Sequence, residues 1–128
     1  GHHPLEITAT LAAMREKYPE SRIVCVFQPH THERTRTLYK EFVQSFHDAD
    51  VVIIPDIYVA RSDIETGTVD VDTFVADIAE VSNAQAINGR GLASTEELLR
   101  TEILHDGDIV ITMGAGTITA LSDALLKD

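Results

Sequence analysis

The stretch of sequence that decides the fold is IVCVFQPHTHERTR, residues 23–36. Its first five residues are apolar, and a short β-branched and aromatic run of this kind predicts a buried strand at residues 22–28. The rest of the stretch is polar and contains two histidines and two arginines. Residues 35–46 then carry apolar side chains three and four positions apart, which predicts a helix. The unit is therefore a strand, a cationic loop and a helix.

The rest of the chain repeats this alternation of helices and strands. Further elements are predicted, in chain order, as a helix at 4–18, a strand at 51–54, a helix at 74–81, a weaker strand at 84–87, a helix from Ser94 to about 103, a strand at 108–113 and a helix at 118–125. The β-branched run at 51–54 is bounded by Asp50 and Pro55, which is typical of a strand buried on both faces of a parallel sheet. A single α/β domain at 1–128, a three-layer sandwich with a mostly parallel sheet, follows from this alternation.

Turn and loop residues give more local predictions. Ser94 with Glu97 three residues later fits a capping box, so Ser94 is predicted to cap a helix. The polar segment 58–72 is predicted to be a loop at the same end of the sheet as the cationic loop. A glycine turn at 114–117 follows the last strand, and it is interpreted as allowing close packing of a strand and a helix. The carboxylates of Asp56, Asp63 and Asp70 are interpreted as solvated, without a role.

Composition excludes several classes of function. The 128 residues include 10 basic and 21 acidic side chains, which gives a formal net charge of -11. Nucleic-acid backbones and anionic membrane surfaces require clustered Lys and Arg, so neither is predicted to be a partner. The single cysteine, Cys25, lies in an apolar run, and a buried, inert thiol in a reducing cytoplasm is predicted. Because the chain begins Gly-His-His-Pro without an initiator Met, it is expected to be a piece of a longer protein.

Arg34 and Arg36 mark the candidate ligand-binding loop. In parallel α/β folds, ligands bind in the crevice outside the carboxyl ends of the strands, and this loop directly follows a predicted strand. A guanidinium group in that crevice suits a carboxylate or a phosphate. The alternative is a solvated basic turn, and composition alone does not separate the two.

The histidines form a second set of candidates. His2 and His3 precede a predicted helix, where the helix dipole disfavours their protonated forms, so they are expected to act as neutral hydrogen-bonding groups unless they are the stub of a purification tag. Together with His30 and His32 they match no zinc-binding spacing, and no metal site is predicted. The chain also has no GxxxxGK[ST] phosphate loop and no GxSxG nucleophile motif, so an ATP enzyme complete in itself is not predicted.

Motifs along almost the whole chain resemble those of one protein family. They are Gly-His-His-Pro at 1–4, Phe-Gln-Pro-His at 27–30, Arg-Thr-Arg at 34–36, Asp-Ile-Tyr at 56–58 and Met-Gly-Ala-Gly at 113–116. In this order they resemble the C-terminal domain of the UDP-N-acetylmuramate:L-alanine ligases, a branch of the Mur ligase family. The resemblance implies a Rossmann-like domain, the third of three in a bacterial cytoplasmic enzyme.

The activity that this resemblance implies is amide formation in peptidoglycan synthesis. In the family, ATP phosphorylates the carboxylate of UDP-N-acetylmuramate, and the amine of L-alanine attacks the acyl phosphate. ATP and Mg²⁺ would be bound mainly by the central domain, so the chain by itself is expected to be inactive without the N-terminal and central domains. The resemblance further implies a catalytic role for His2 and binding of the amino acid by Arg34, His30 and Thr31.

Two departures from the family pattern bear on these roles. Thr31 stands where many members have an arginine, which places more of the carboxylate binding on Arg34. The family's Asp-Asp-Tyr stretch, which precedes Gly-His-His-Pro, is upstream of residue 1. Two alternatives stay open: a sister ligase that reattaches a recycled tripeptide, which would need more room at residues 31–33, and a stand-alone α/β binding module.

Overall fold

The fold is built on a parallel sheet. A computed structural model describes residues 3–29, 32–57, 69–103 and 108–114, with the side chains of residues 33 and 34 excepted. Within these residues the sheet has four strands in the order β3-β2-β1-β4, and every neighbouring pair is parallel. The strands are β1 (Ile23–Gln28), β2 (Val51–Ile54), β3 (Gln85–Asn88) and β4 (Ile109–Gly114).

The two central strands are apolar because both of their faces are covered. Every residue of β1 and β2 is buried. Alternate side chains point to opposite faces, so Cys25 and Val52 belong to one hydrophobic cluster while Val24 and Ile53 belong to the other. The predicted strand that is buried on both faces is thus confirmed, and so is the parallel sheet.

Helices pack on both faces of this sheet. They are α1 (Pro4–Lys17), α2 (His32–Thr37), α3 (Tyr39–Val43), α4 (Val71–Ser82) and α5 (Leu92–Leu98), which continues as a π-helical segment at Leu99–Ile103. The larger cluster contains residues of α1, α3 and α4, and Phe27 of β1 lies 5.5 Å from Phe42 between ring centroids. Leu99 and Ile103 cover the opposite face. The three-layer α/β sandwich is therefore confirmed.

The prediction of one helix over 35–46 was wrong. The segment forms two short helices, α2 and α3, which are separated at Leu38, whose φ of -107° and ψ of 21° are not helical. Beyond the break, the Tyr39 ring packs 5.3 Å from Phe74 of α4, and its hydroxyl bonds Asp77. This contact with α4 directly follows the break, and the periodicity of residues 35–46 gives no sign of it.

The prediction that Ser94 caps a helix was also wrong. Helix α5 begins two residues earlier, at Leu92, with Gly91 as its N-cap at a φ of 104°. The Gly91 N–H donates to the carbonyl of Pro55 at 2.6 Å, and the Thr95 hydroxyl donates to the Gly91 carbonyl at 2.7 Å. A contact with the end of β2 therefore fixes the start of α5, and a side-chain cap does not.

Asp70 has a structural role that the sequence analysis did not give it. Its carboxylate accepts from the N–H and the hydroxyl of Thr73, at 3.2 and 2.8 Å, and caps α4. Helix α4 consequently begins at Val71, inside the segment that was predicted to be loop. The rest of that loop at 58–68, the turn at 105–107 and the helix at 118–125 lie outside the described residues.

Cys25 is fully buried, and burial raises the pKa of its thiol to about 12. The interpretation of an inert, buried thiol is confirmed, because the reactive thiolate is suppressed at neutral pH. In the described segments, no helix combines the length and the apolar character that crossing a membrane requires.

Candidate functional site

The candidate site lies at the carboxyl end of the sheet. Because the strands are parallel, β1 to β4 all end at this edge, at Gln28, Ile54, Asn88 and Gly114. Helix α2 begins four residues after the end of β1, and the backbone of Arg34 lies in its first turn. The cationic segment therefore starts from the edge where ligands collect in open α/β sheets.

Gln28 and Asp56 connect the ends of the two central strands. Gln28 is 2% exposed, and its side-chain amide donates to the Asp56 carboxylate at 2.5 Å. A buried amide needs such a partner. Asp56 therefore has a role in holding the edge together, which corrects the interpretation of this carboxylate as solvated and without a role. A glutamine that ends an apolar run is a signal that could have indicated a buried polar contact.

Gly114 brings β4 close to the end of β1. Its φ is 128°, and a Cβ at this position would lie 2.0 Å from the carbonyl oxygen of Gln28. Only glycine fits so close to a neighbouring backbone. The sequence analysis interpreted the glycine turn as a device for strand-to-helix packing. At Gly114 the close approach is to strand β1, whereas Gly116 lies outside the described residues.

His32 connects the start of α2 to the start of α4. The side chain is 8% exposed, and its Nδ1 accepts a hydrogen bond from the Val69 N–H at 2.9 Å. Nδ1 is thus unprotonated, and the ring proton of the neutral form is on Nε2. Thr35, three residues later, is fully buried, so these two residues form the inner face of α2. The sequence analysis considered His32 only as a metal ligand and did not find this contact.

A further group of polar side chains lies at the end of β3. The Asn88 amide donates to the Asp72 carboxylate at 2.9 Å and its oxygen accepts from the Arg90 N–H at 3.0 Å, while the Arg90 guanidinium lies 3.6 Å from Asp72. The side chains of Arg90 and Asp72 are 71% and 61% exposed, so solvent screens the ion pair and its contribution to stability is small. No motif in the sequence had singled out these residues.

His3 caps α1. Its Nδ1 accepts from the Leu5 N–H at 3.2 Å, so it acts as a hydrogen-bond acceptor at the helix N-terminus, as expected of a neutral histidine there. Three of the predicted site residues, His2, His30 and Thr31, lie outside the described residues, and of Arg34 only the backbone is described. Over the described ranges, no group of three His, Cys, Asp or Glu side chains could hold a metal ion.

Comparison with known proteins identifies the family. A family model described as "Mur ligase, glutamate ligase domain" matches residues 1–116. The chain belongs to this family. The resemblance inferred from the motifs is therefore confirmed.

Curated relatives are 36–46% identical in sequence to this chain. A UDP-N-acetylmuramate–L-alanine ligase of Alkaliphilus metalliredigens is 46% identical over 129 residues, covering 99% of this chain and 26% of the relative. The enzyme of the same name from Clostridium tetani is 42% identical over 126 residues, covering 98% and 27%. The chain thus spans about a quarter of the length of these relatives.

Solved structures of Mur ligase domains have the same fold. A UDP-N-acetylmuramate-alanine ligase from Thermotoga maritima matches 99% of this chain and 24% of its own, with a TM-score of 0.69 and 22% identity. A domain of a Haemophilus ducreyi protein, described as a UDP-N-acetylmuramate:L-alanyl-gamma-D-glutamyl-diaminopimelate ligase, matches 99% of this chain and 84% of its own, with a TM-score of 0.67 and 23% identity. At these identities the likeness shows the fold, which is the Rossmann-like α/β sandwich of Mur ligases.

Proposed function

We propose that this chain is the C-terminal, amino-acid-side domain of an ATP-dependent UDP-N-acetylmuramate:L-alanine ligase of peptidoglycan synthesis in the bacterial cytoplasm. The observation that carries the proposal is the 46% identity, over 99% of the chain, to a relative with that name. The chain corresponds to one domain of that enzyme and depends on the N-terminal and central domains for activity.

The geometry of the sheet edge supports binding of the amino acid here. In a chain with 10 basic and 21 acidic residues, a cationic helix that starts at the carboxyl end of the sheet is a favourable place for a carboxylate. We assign the carboxylate of L-alanine to Arg34, with hydrogen bonds from His30 and Thr31. We assign to His2 a neutral imidazole that hydrogen-bonds the reacting group.

ATP and Mg²⁺ are assigned to the central domain. The described residues offer no cluster of three metal-ligating side chains, and the sequence has no phosphate loop. This domain's part in the reaction is therefore to bind and orient the amino acid, so that its amine faces the activated carboxyl group of the muramoyl substrate. Such orientation can lower the activation free energy by several kcal/mol, on the order of 7 kcal/mol in well-oriented systems.

Assay of the full-length protein tests this proposal. With UDP-N-acetylmuramate, L-alanine, ATP and Mg²⁺, it should form the amide and release one phosphate per turnover, and omission of any component should abolish both. Serine, glycine and the L-alanyl-γ-D-glutamyl-diaminopimelate tripeptide are the competing substrates. A protein that uses the tripeptide and not alanine is the sister ligase, and one without any amino-acid-dependent phosphate release is a binding module.

A further inference from the structure

Helix α2 depends on other parts of the protein for its orientation. It has only six residues, and helices of this length are not stable by themselves. It is also not continued by α3, because the chain leaves helical geometry at Leu38. Contacts with neighbouring elements must therefore determine where α2, and with it the backbone of Arg34, lies.

The first such contact is at the start of α2. The Nδ1 of His32 accepts the N–H of Val69 at 2.9 Å, and the ring is almost completely buried. Val69 directly precedes Asp70, whose carboxylate is fixed by two hydrogen bonds from Thr73 in the first turn of α4. The partner of His32 is thus held by a 12-residue helix.

The second contact lies beyond the end of α2. The Tyr39 ring packs on Phe74 at 5.3 Å, and the Tyr39 hydroxyl bonds Asp77. Burial, and then the hydrogen bond to Asp77, raises the pKa of this phenol. The segment that carries Arg34 is therefore attached on both sides, at residue 32 to Val69 just before α4 and at residue 39 to α4 itself.

We propose that His32 is a positioning residue for the amino-acid site, which acts by fixing α2 to the start of α4 and thereby placing Arg34. This inference rests on the proposed function, since Arg34 is the residue that would bind the alanine carboxylate. Without an acceptor at position 32, the partly buried Val69 N–H loses its hydrogen bond to His32, and α2 loses one of the contacts that attach it to the region of α4. A displacement of about 1 Å at a binding group can change rates by roughly a hundredfold.

Two substitutions at position 32 separate the acceptor from the bulk of the ring. In His32→Asn the side-chain oxygen takes the place of Nδ1, whereas His32→Leu keeps a similar volume without an acceptor. In the full-length enzyme, His32→Leu should raise the KM for alanine about tenfold with little change in kcat, and His32→Asn should stay within about threefold of the wild type. Should His32→Leu fail to fold, His32→Gln, whose oxygen corresponds to Nε2, replaces it in the comparison.

Two controls show whether the effect passes through Arg34. His47→Leu removes an exposed histidine between α3 and β2 and should leave the KM unchanged. In an Arg34→Ala background, His32→Leu should have no further effect on the KM for alanine, because the group that it positions is gone. Amide hydrogen exchange at Val69, measured in the full-length protein, should be faster in His32→Leu and remain slow in His32→Asn.

The inference is overturned if His32→Leu leaves the KM for alanine unchanged, if His32→Asn is as impaired as His32→Leu, or if the effects of His32→Leu and Arg34→Ala add. These results differ from failure of the proposed function, in which the wild-type full-length protein forms no alanine amide. Val69 exchange would still report on the attachment of α2 in that case.

Discussion

The two ends of the parallel sheet use polar side chains differently. At the amino end, Arg15 donates to the Asp50 carboxylate at 2.6 Å, and the same carboxylate accepts the Ile23 N–H at 2.7 Å. Arg22 forms a two-point ion pair with Asp108, with N···O distances of 3.2 and 2.6 Å. Hydrogen bonding to Asp108 raises the pKa of this guanidinium further. The charges at this end connect the beginnings of the strands.

At the carboxyl end, side-chain amides donate to carboxylates, and the ion pair of Arg90 with Asp72 is largely exposed. Gln28 donates to Asp56 between β1 and β2, and Asn88 donates to Asp72 between β3 and α4. Gly114 has no side chain at all, and the cationic helix α2 starts beside this edge. Ion pairs thus connect the strands at the amino end of the sheet, whereas the proposed amino-acid site lies at the carboxyl end.

The largest effect is expected at Gly114. Gly114→Ala should lower the free energy of unfolding by at least about 3 kcal/mol, because the new Cβ would collide with the Gln28 backbone at a φ that L-residues rarely adopt. Gly91→Ala is the matched control, since its φ is also positive but its Cβ would meet nothing within 4 Å, and it should lose only about 1–2 kcal/mol. Urea unfolding measures both. Equal losses would show that the close approach of β4 to β1 is unimportant.

Arg34→Ala should raise the KM for alanine in the full-length protein by about tenfold to a hundredfold, since a charge-assisted contact contributes roughly 1.5–3 kcal/mol. Stability should change by less than about 0.5 kcal/mol. Arg36→Ala, two residues further along α2, is the control, and its KM for alanine should stay near that of the wild type. An unchanged KM in Arg34→Ala would show that Arg34 does not bind alanine.

Asp108→Asn tests the amino end. The side chain of Asp108 is 7% exposed, and loss of its charge-assisted hydrogen bonds should reduce the free energy of unfolding by about 1.5–3 kcal/mol, with no change in the KM for alanine. Asp72→Asn removes a carboxylate that is 61% exposed, so its effect on stability should be below about 0.5 kcal/mol. A change of KM in Asp108→Asn would contradict the division between the two ends.

The smallest effect is expected from Cys25, which lies midway between the ends of β1. Its pKa is raised from 9.0 to about 12 in the folded state, so the unfolded chain loses its thiol proton first as the pH rises. Stability is therefore complete below pH 9 and falls above it, by about 1 kcal/mol at pH 9.5. The free energies of unfolding from urea titrations at pH 8 and pH 9.5 should differ by about 1 kcal/mol less in Cys25→Ala than in the wild type. Identical pH dependence in the two proteins would contradict a buried, protonated thiol.

Periodicity in the sequence was enough to predict the layers of the fold. Helix α1 was predicted from Pro4 and the spacing of Ile7 and Leu11, and both of these apolar residues are fully buried. Strand β2 was predicted from four β-branched residues, all of them buried. These predictions succeeded because the pattern of apolar residues lies within a single helix or strand. Burial of one face, or of both faces, is enough to select apolar residues at those positions.

Predictions that depended on helix ends and single polar residues did less well. The break at Leu38 lies next to a contact with α4, and the start of α5 at Leu92 lies next to a hydrogen bond with Pro55. The edge that carries the candidate site was predictable, because parallel strands end together. The roles of His2, His30, Thr31 and Arg34 remain predictions, which the full-length enzyme can test.

The sequence by itself determined the alternation of helices and strands, the parallel sheet and, through its motifs, the Mur ligase family. Tertiary structure alone decided which polar groups meet. Gln28 and Asp56 are 28 positions apart, His32 and Val69 are 37 apart, and Tyr39 and Asp77 are 38 apart. Such pairs exist only once the register of β1 and β2 and the packing of α4 are fixed. Hydrogen bonds between distant segments leave no periodic trace in the chain, whereas burial of a strand or a helix face does.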